Sequence, residues 1–216
     1  MLDIIIYGAG GFAREVAWLV EQCAEAGQPI AAVAFIDDDP GGQGRTVNGL
    51  PVLSAEEAAR RFPAAAVTIG IGAGAVREKL DARVRGLGLG IASLVHPRVE
   101  MSRFVDVGEG TVICAGSILT TNIRLGRQVQ INLDCTIGHD VVMEDCVTLA
   151  PGVHVSGWVV LEKGAYVGTG ATIINGTESK PLVIGAGAVI GAGACVTRAI
   201  PAGATAVGMP AKPIHT

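Results

Sequence analysis

Near the middle of the chain, Ile137-Gly138-His139-Asp140 sets a histidine directly before a carboxylate. Histidine changes charge near neutrality, so it can take the proton of an attacking nucleophile; a carboxylate on one ring nitrogen would orient the ring and stabilise the imidazolium. Successive strand residues point to opposite faces, so a His139–Asp140 hydrogen bond requires a bend in the backbone between them. Nearer the start, Gly8-Ala9-Gly10-Gly11 closes the apolar run LDIIIY and precedes a helix-like stretch. Glycine allows close backbone approach and a helix N-terminus offers unpaired N–H groups, so Gly8, Gly10 and Gly11 have the form of a phosphate-binding turn. The alternative is that they only make tight turns. Asp37 and Asp38 end the second strand-like run, AAVAFI, where carboxylates could accept hydrogen bonds from a ribose or a base, and Gly72 opens the next strand-to-helix turn on the same expected edge. A dinucleotide site usually needs two βαβαβ halves. The roughly 92 residues here supply one, which suits a mononucleotide-sized group. Arg77, in the third helix-like stretch, reads as a solvated or locally paired arginine.

These residues sit in two different textures. Up to about residue 92, apolar runs alternate with helix-like stretches (Phe12 to Ala26, Ala55 to Phe62, Ala75 to Arg85), which predicts a small parallel sheet with crossover helices. From Val95 to Ile173 every sixth residue is aliphatic (Val95, Met101, Val107, Ile113, Leu119, Leu125 and onward), and the phase resumes at Ile184, Ile190 and Val196. A period of six fits neither a helix nor an isolated strand. It fits a parallel β-helix in which six residues make one side and one corner of a triangular coil, with aliphatic side chains inward and residues eighteen apart stacked. The glycines after many of the aliphatic positions (Gly108, Gly126, Gly138, Gly168) are expected to turn the corners. The domains expected are 1–92, an α/β domain; 93–208, a β-helix with an excursion at 175–183; and 209–216, a C-terminal tail.

Composition excludes several functions. Glycine, at 31 residues, has no G-X-Y order, which rules out collagen. The net charge of −4 without a basic block argues against a nucleic-acid binder. No run approaches the ~20 apolar residues of a membrane span, and the start lacks the marks of a signal peptide. The five cysteines (Cys23, Cys114, Cys135, Cys146, Cys195) include no CxxC pair, so no disulfide framework is expected and a reducing cytoplasm fits. The His and Cys spacings match no zinc pattern, so no metal is expected. Cys135 and Cys146 lack an obvious activating arrangement, which disfavours covalent catalysis.

The [LIV]-G-x4 texture resembles the hexapeptide repeat of left-handed β-helix acyltransferases. The order YGAGGFAREV, FIDD, IGIG, LVHP, then repeats, then VGMPAKPI resembles, over essentially the whole chain, the sialic-acid O-acetyltransferases and nucleotide-aminosugar N-acetyltransferases of bacterial surface-glycan synthesis. The resemblance implies a Rossmann-like first domain holding a nucleotide-linked amino sugar, the acidic pair near the base, and a left-handed coil. It implies acetyl-CoA as cosubstrate and a homotrimer with acetyl-CoA between adjacent coils. Asn132, His139 and Asp140 match the family's N-x6-H-[DE] pattern, in which the histidine is the base. Attack on a thioester creates an oxyanion that wants a fixed N–H donor; Gly157 lies one eighteen-residue coil beyond His139, and the family uses the equivalent amide. Family members often carry a second histidine, nine residues after the base, that contacts acetyl-CoA. Thr148 stands there instead, with a hydroxyl that could donate. The pantetheine arm would run along corners contributed by Gly157, Thr169 and Ala192, and Lys212 would meet CoA phosphate. His96 is expected to pack at the domain junction, His154 to be structural or exposed, and His215 to be solvated in the tail. O-acetylation of a sialic-acid-like sugar and a non-catalytic nucleotide-binding scaffold are the alternatives.

Overall fold

The computed structural model describes residues 1–214 and divides the chain into two compact units, Met1–Pro97 and Arg98–Thr216. The first is a six-stranded sheet in the order β3-β4-β2-β1-β5-β6: β1 (Leu2–Tyr7), β2 (Ile30–Ile36), β3 (Thr46–Val47), β4 (Leu50–Leu53), β5 (Ala66–Ile69) and β6 (Gly90–Ile91). All neighbouring pairs are parallel except the β3–β4 hairpin. Helix α1 (Gly11–Glu25) buries Ala13, Val16, Ala17, Val20 and Cys23, the apolar stripe of a helix lying on a sheet. Helix α2 (Ala55–Arg61) starts at Ser54, whose Oγ accepts the Glu57 N–H at 3.1 Å, and carries Glu56 and Glu57 in its first turn and Arg60 and Arg61 in its last, matching the helix dipole. Helix α3 (Gly74–Gly86) completes the unit.

Between β5 and α3, Gly70 lies against α1. A Cβ there would fall 2.7 Å from Ala13 Cα, a backbone atom that cannot swing aside. We therefore expect Gly70→Ala to destabilise the unit by about 1–3 kcal/mol, read as a lowered midpoint in urea unfolding; an unchanged midpoint would contradict this packing.

The second unit is a triangular coil of two- and three-residue parallel strands. Stacking follows the eighteen-residue register: Ile113 pairs with Ile131 and Ile131 with Leu149 on one side, Leu119 with Ile137 and Ile137 with Val155 on the next, Leu125 with Met143 and Met143 with Leu161 on the third. All of these are buried. Met101, in the first coil with a neighbour on one side only, is 41% exposed despite its place in the repeat.

Three details differ from the periodicity. The excursion is shorter than 175–183, because Leu182 and Val183 already pair with Val159 and Val160, leaving a small hairpin bridged at Thr177 and Lys180. The tail folds back: Lys212–Ile214 pairs antiparallel with Thr205–Val207. His215 lies outside the described residues. Finally, the glycines directly after the aliphatic residues (Gly108, Gly126, Gly138, Gly168) do not supply the left-handed turn, which falls two positions on and is taken by other glycines such as Gly110, Gly152 and Gly170 as well as by larger residues. A Cβ on Gly138 would fall 2.7 Å from Gly157 N, so this glycine allows close stacking of coils. The positive φ falls two residues later, at Asp140, in a column of Asn122 (φ 54), Asp140 (φ 58) and Trp158 (φ 57).

Candidate active site

The strand Thr136–Ile137 ends with Ile137 buried in the coil, and the chain then turns. Asp140 takes the left-handed conformation, and its N–H donates to Thr121 O at 3.1 Å. That bend removes the strand alternation that would have sent His139 and Asp140 apart. The result is a hydrogen bond of 2.8 Å between His139 Nδ1 and Asp140 Oδ2. With Nδ1–H donating to the carboxylate, Nε2 carries the lone pair and is the basic nitrogen. Asp140 Oδ1 accepts from Asn122 Nδ2 at 3.2 Å, so both carboxylate oxygens are held.

The backbone of the next coil passes beneath the ring. A Cβ on Gly157 would fall 2.6 Å from both His139 Nε2 and Cε1, so only glycine leaves room for the imidazole in this place. The flanking residues use their N–H groups within the coil, Ser156 to Ile173 O and Trp158 to His139 O, whereas the Gly157 N–H has no hydrogen-bond partner among the described residues. The Trp158 ring meets the imidazole edge-on, with centroids 6.1 Å apart. The His139 side chain remains 55% exposed. Beside the pair opens a cavity of about 480 Å³ whose wall includes Arg103, Phe104, Asp106, Arg124, Asp140 and Trp158.

Other expected residues lie elsewhere. Asn132 stands at the preceding corner, buried, with Nδ2 donating to Leu149 O at 2.8 Å; its amide is used by the coil and it is not part of the His139 corner. Thr148 is buried in register between Gln130 and Tyr166, so its hydroxyl is not presented on the coil surface. Thr169 and Ala192 are at the corner after the Tyr166–Val167 side, not at the corner of Gly157, so within one chain the three do not line a single groove. Lys212 is exposed on its strand. His154 is exposed and bonded through Nδ1 to Thr136 Oγ1 at 2.8 Å. Cys135 is buried, and burial pushes its thiol up to about 11, unlike a nucleophile working near neutrality. Sequence reasoning misses Asn122 and Trp158, although each is one coil from Asp140; the register points to them and their residue types do not.

In the first unit, Gly10 precedes α1 without a side-chain cap, and a Cβ on Gly10, Gly11 or Gly72 would meet nothing within 4 Å. These turns face open space. Gly8 is different: its φ is 106, and a Cβ added there would lie 3.1 Å from Ile71 Cγ1, so glycine is required by the fold itself. Arg77 is fully buried, not solvated, and its Nη1 donates to Ile71 O at 3.0 Å and Gly72 O at 2.8 Å, holding the turn from below. Asp38 accepts from Tyr7 Oη at 2.9 Å and from Arg83 at 2.8 Å, and Arg83 also reaches Glu56 at 2.9 Å. Burial first, then the Asp38 hydrogen bond, pushes the Tyr7 phenol well above its ordinary value, keeping it a donor. Asp37 is less engaged, with Oδ1 accepting the Asp39 N–H at 3.1 Å and Oδ2 3.5 Å from Arg45. His96 is buried near Trp18, ring centroids 6.4 Å apart. Among the described residues, no helix is long and apolar enough to cross a membrane.

Fold and corner geometry define a class: left-handed β-helix acetyltransferases with an α/β unit ahead of the coil. Comparison with known proteins narrows it. The PglD N-terminal domain family matches residues 3–84. GDP-perosamine N-acetyltransferase of Escherichia coli O157:H7 is 35% identical over 210 residues, 96% of this chain and 94% of that protein. Among solved structures, WeeI from Acinetobacter baumannii AYE is 40% identical, with a TM-score of 0.89 over 99% of this chain and 100% of that one. A histidine-to-asparagine mutant of perosamine N-acetyltransferase from Caulobacter crescentus, in complex with CoA and GDP-perosamine, is 29% identical, with a TM-score of 0.86 over 99% of this chain and 97% of that one. The chain belongs to the hexapeptide-repeat acetyltransferase family that holds the sialic-acid O-acetyltransferases and the nucleotide-aminosugar N-acetyltransferases, and is an acetyl-CoA-dependent sugar acetyltransferase.

Proposed function

We propose that the protein moves the acetyl group of acetyl-CoA onto the amine of a nucleotide-linked amino sugar, with a GDP-linked sugar such as GDP-perosamine the first acceptor to test. His139 Nε2 takes a proton from the amine as its nitrogen bonds to the thioester carbon. Asp140 stabilises the imidazolium, and the Gly157 N–H donates to the oxyanion. As the intermediate collapses, the C–S bond breaks and His139 returns the proton to the departing thiolate, so acid and base roles fall to one ring. The observation that carries this is the 2.8 Å His139–Asp140 bond with the Gly157 backbone directly beneath the ring. The nucleotide end is assigned to the uncapped turn at Gly10 and Gly11, with Gly72 and Asp37 beside it; Asp38 serves to position this edge through Tyr7 and Arg83. A homotrimer fits the separation of the Thr169–Ala192 corner from the Gly157 corner, since a neighbouring copy could bring one to the other. The working compartment is the cytoplasm.

The test is product mass after incubation with acetyl-CoA and GDP-, UDP- and dTDP-linked amino sugars, with free sialic acid alongside. An amide one acetyl group heavier on one nucleotide sugar is the expected result. Acetylation of sialic acid alone would overturn N-transfer, and no transfer with acetyl-CoA unbound would leave the chain a scaffold.

A further inference from the structure

Trp158 takes the left-handed conformation at φ 57, and it is the largest side chain among the non-glycine residues that do so. The same column is filled by Asn122 and Asp140, types that enter this region at low cost, whereas a bulky residue there is a true outlier. The conformation belongs to the turn of the coil, since it recurs every six residues from Gly110 to Gly170, at Gln128 and Cys146 as well; what is particular here is that the turn carries an indole. This corner places the indole between the two features of the site that matter for an acceptor. It meets the His139 imidazole edge-on, and it walls the cavity of about 480 Å³ beside Asp140. That cavity is two-sided in chemistry: Phe104, Val142 and Trp158 supply apolar surface, while Arg103, Asp106 and Arg124 supply hydrogen-bonding groups. A pyranose has the same duality, with an apolar C–H face and a rim of hydroxyls. An indole face carries the negative side of its quadrupole and suits those C–H bonds.

We propose that this cavity is the sugar subsite and that Trp158 is its stacking platform, holding the pyranose so that its amine lies at His139. The proposal rests on the amino-sugar acetyltransferase function proposed above. The test uses the full chain and the fluorescence of its two tryptophans, Trp18 and Trp158. In Trp18→Phe, leaving Trp158 as the only tryptophan, GDP-perosamine should quench the emission, while GDP alone and acetyl-CoA alone should not. In steady state, Trp158→Ala should raise KM for the acceptor about tenfold with a smaller change in kcat and in KM for acetyl-CoA, and Trp158→Phe should restore most of the loss. Quenching by acetyl-CoA and not by the sugar would assign the cavity to the pantetheine arm and overturn the proposal. So would an unaltered acceptor KM in Trp158→Ala, or failure of Trp158→Phe to recover. If the wild-type protein acetylates no nucleotide sugar, the proposed function itself falls; acetylation of GDP-perosamine without quenching sinks only the subsite.

Discussion

His139→Ala should lower turnover by about 10² or more while leaving acetyl-CoA binding within about twofold. The ring is 55% exposed and its removal opens no hole in the coil, whose core is the buried aliphatic column beneath. A melting temperature close to wild type should therefore accompany the loss. Asp140 would stay held by Asn122, so the corner itself should keep its shape. Single-turnover transfer measured beside a binding isotherm separates the two effects. A fully active variant would remove His139 from the chemistry, and equal losses in rate and binding would make it a binding residue.

Gly157→Ala should cost a comparable factor, on the order of 10² in rate, for a geometric reason. The new methyl would occupy space 2.6 Å from Nε2 and Cε1, so the imidazole must leave its position and with it the 2.8 Å bond to Asp140. The Gly157 N–H survives the substitution, so the experiment isolates ring placement from oxyanion stabilisation. The half-exposed ring can swing toward solvent, so stability should change little. Full activity in Gly157→Ala would mean that the ring works from another rotamer.

The coil is legible because its signal is repeated: one aliphatic residue in every six leaves no competing period, and eighteen-residue stacking then finds Gly157 under His139. The same arithmetic contains Asn122 and Trp158, but neither residue type announces itself. The separation of Asn132 from His139 is equally countable, since seven residues carry the chain past one side to the next corner. The family resemblance alone groups them in spite of it. The left-handed turns do not fall on the glycines directly after the aliphatic residues, such as Gly138, whose task is close stacking, but two positions later, where some residues are glycine and others are not; sequence shows smallness and not φ. Hand comes only by resemblance, since a period is blind to it. In the first unit, the turns at Gly8 to Gly11 and at Gly72 are readable from strand and helix order. The Tyr7–Asp38–Arg83–Glu56 network is not, because it joins the ends of two strands to two helices. Arg77 misleads for a related reason: a buried arginine bonded to main-chain carbonyls looks, in sequence, like any surface helix arginine.

Transfer at the corner above Gly157 is tested most directly by a crystal structure of the assembled protein with acetyl-CoA. The thioester oxygen should accept the Gly157 N–H, with His139 Nε2 facing the carbonyl carbon from the side on which an amine would arrive. An acetyl-CoA bound with its thioester at another corner of the coil, out of reach of both groups, would contradict the assignment of this corner as the site of transfer.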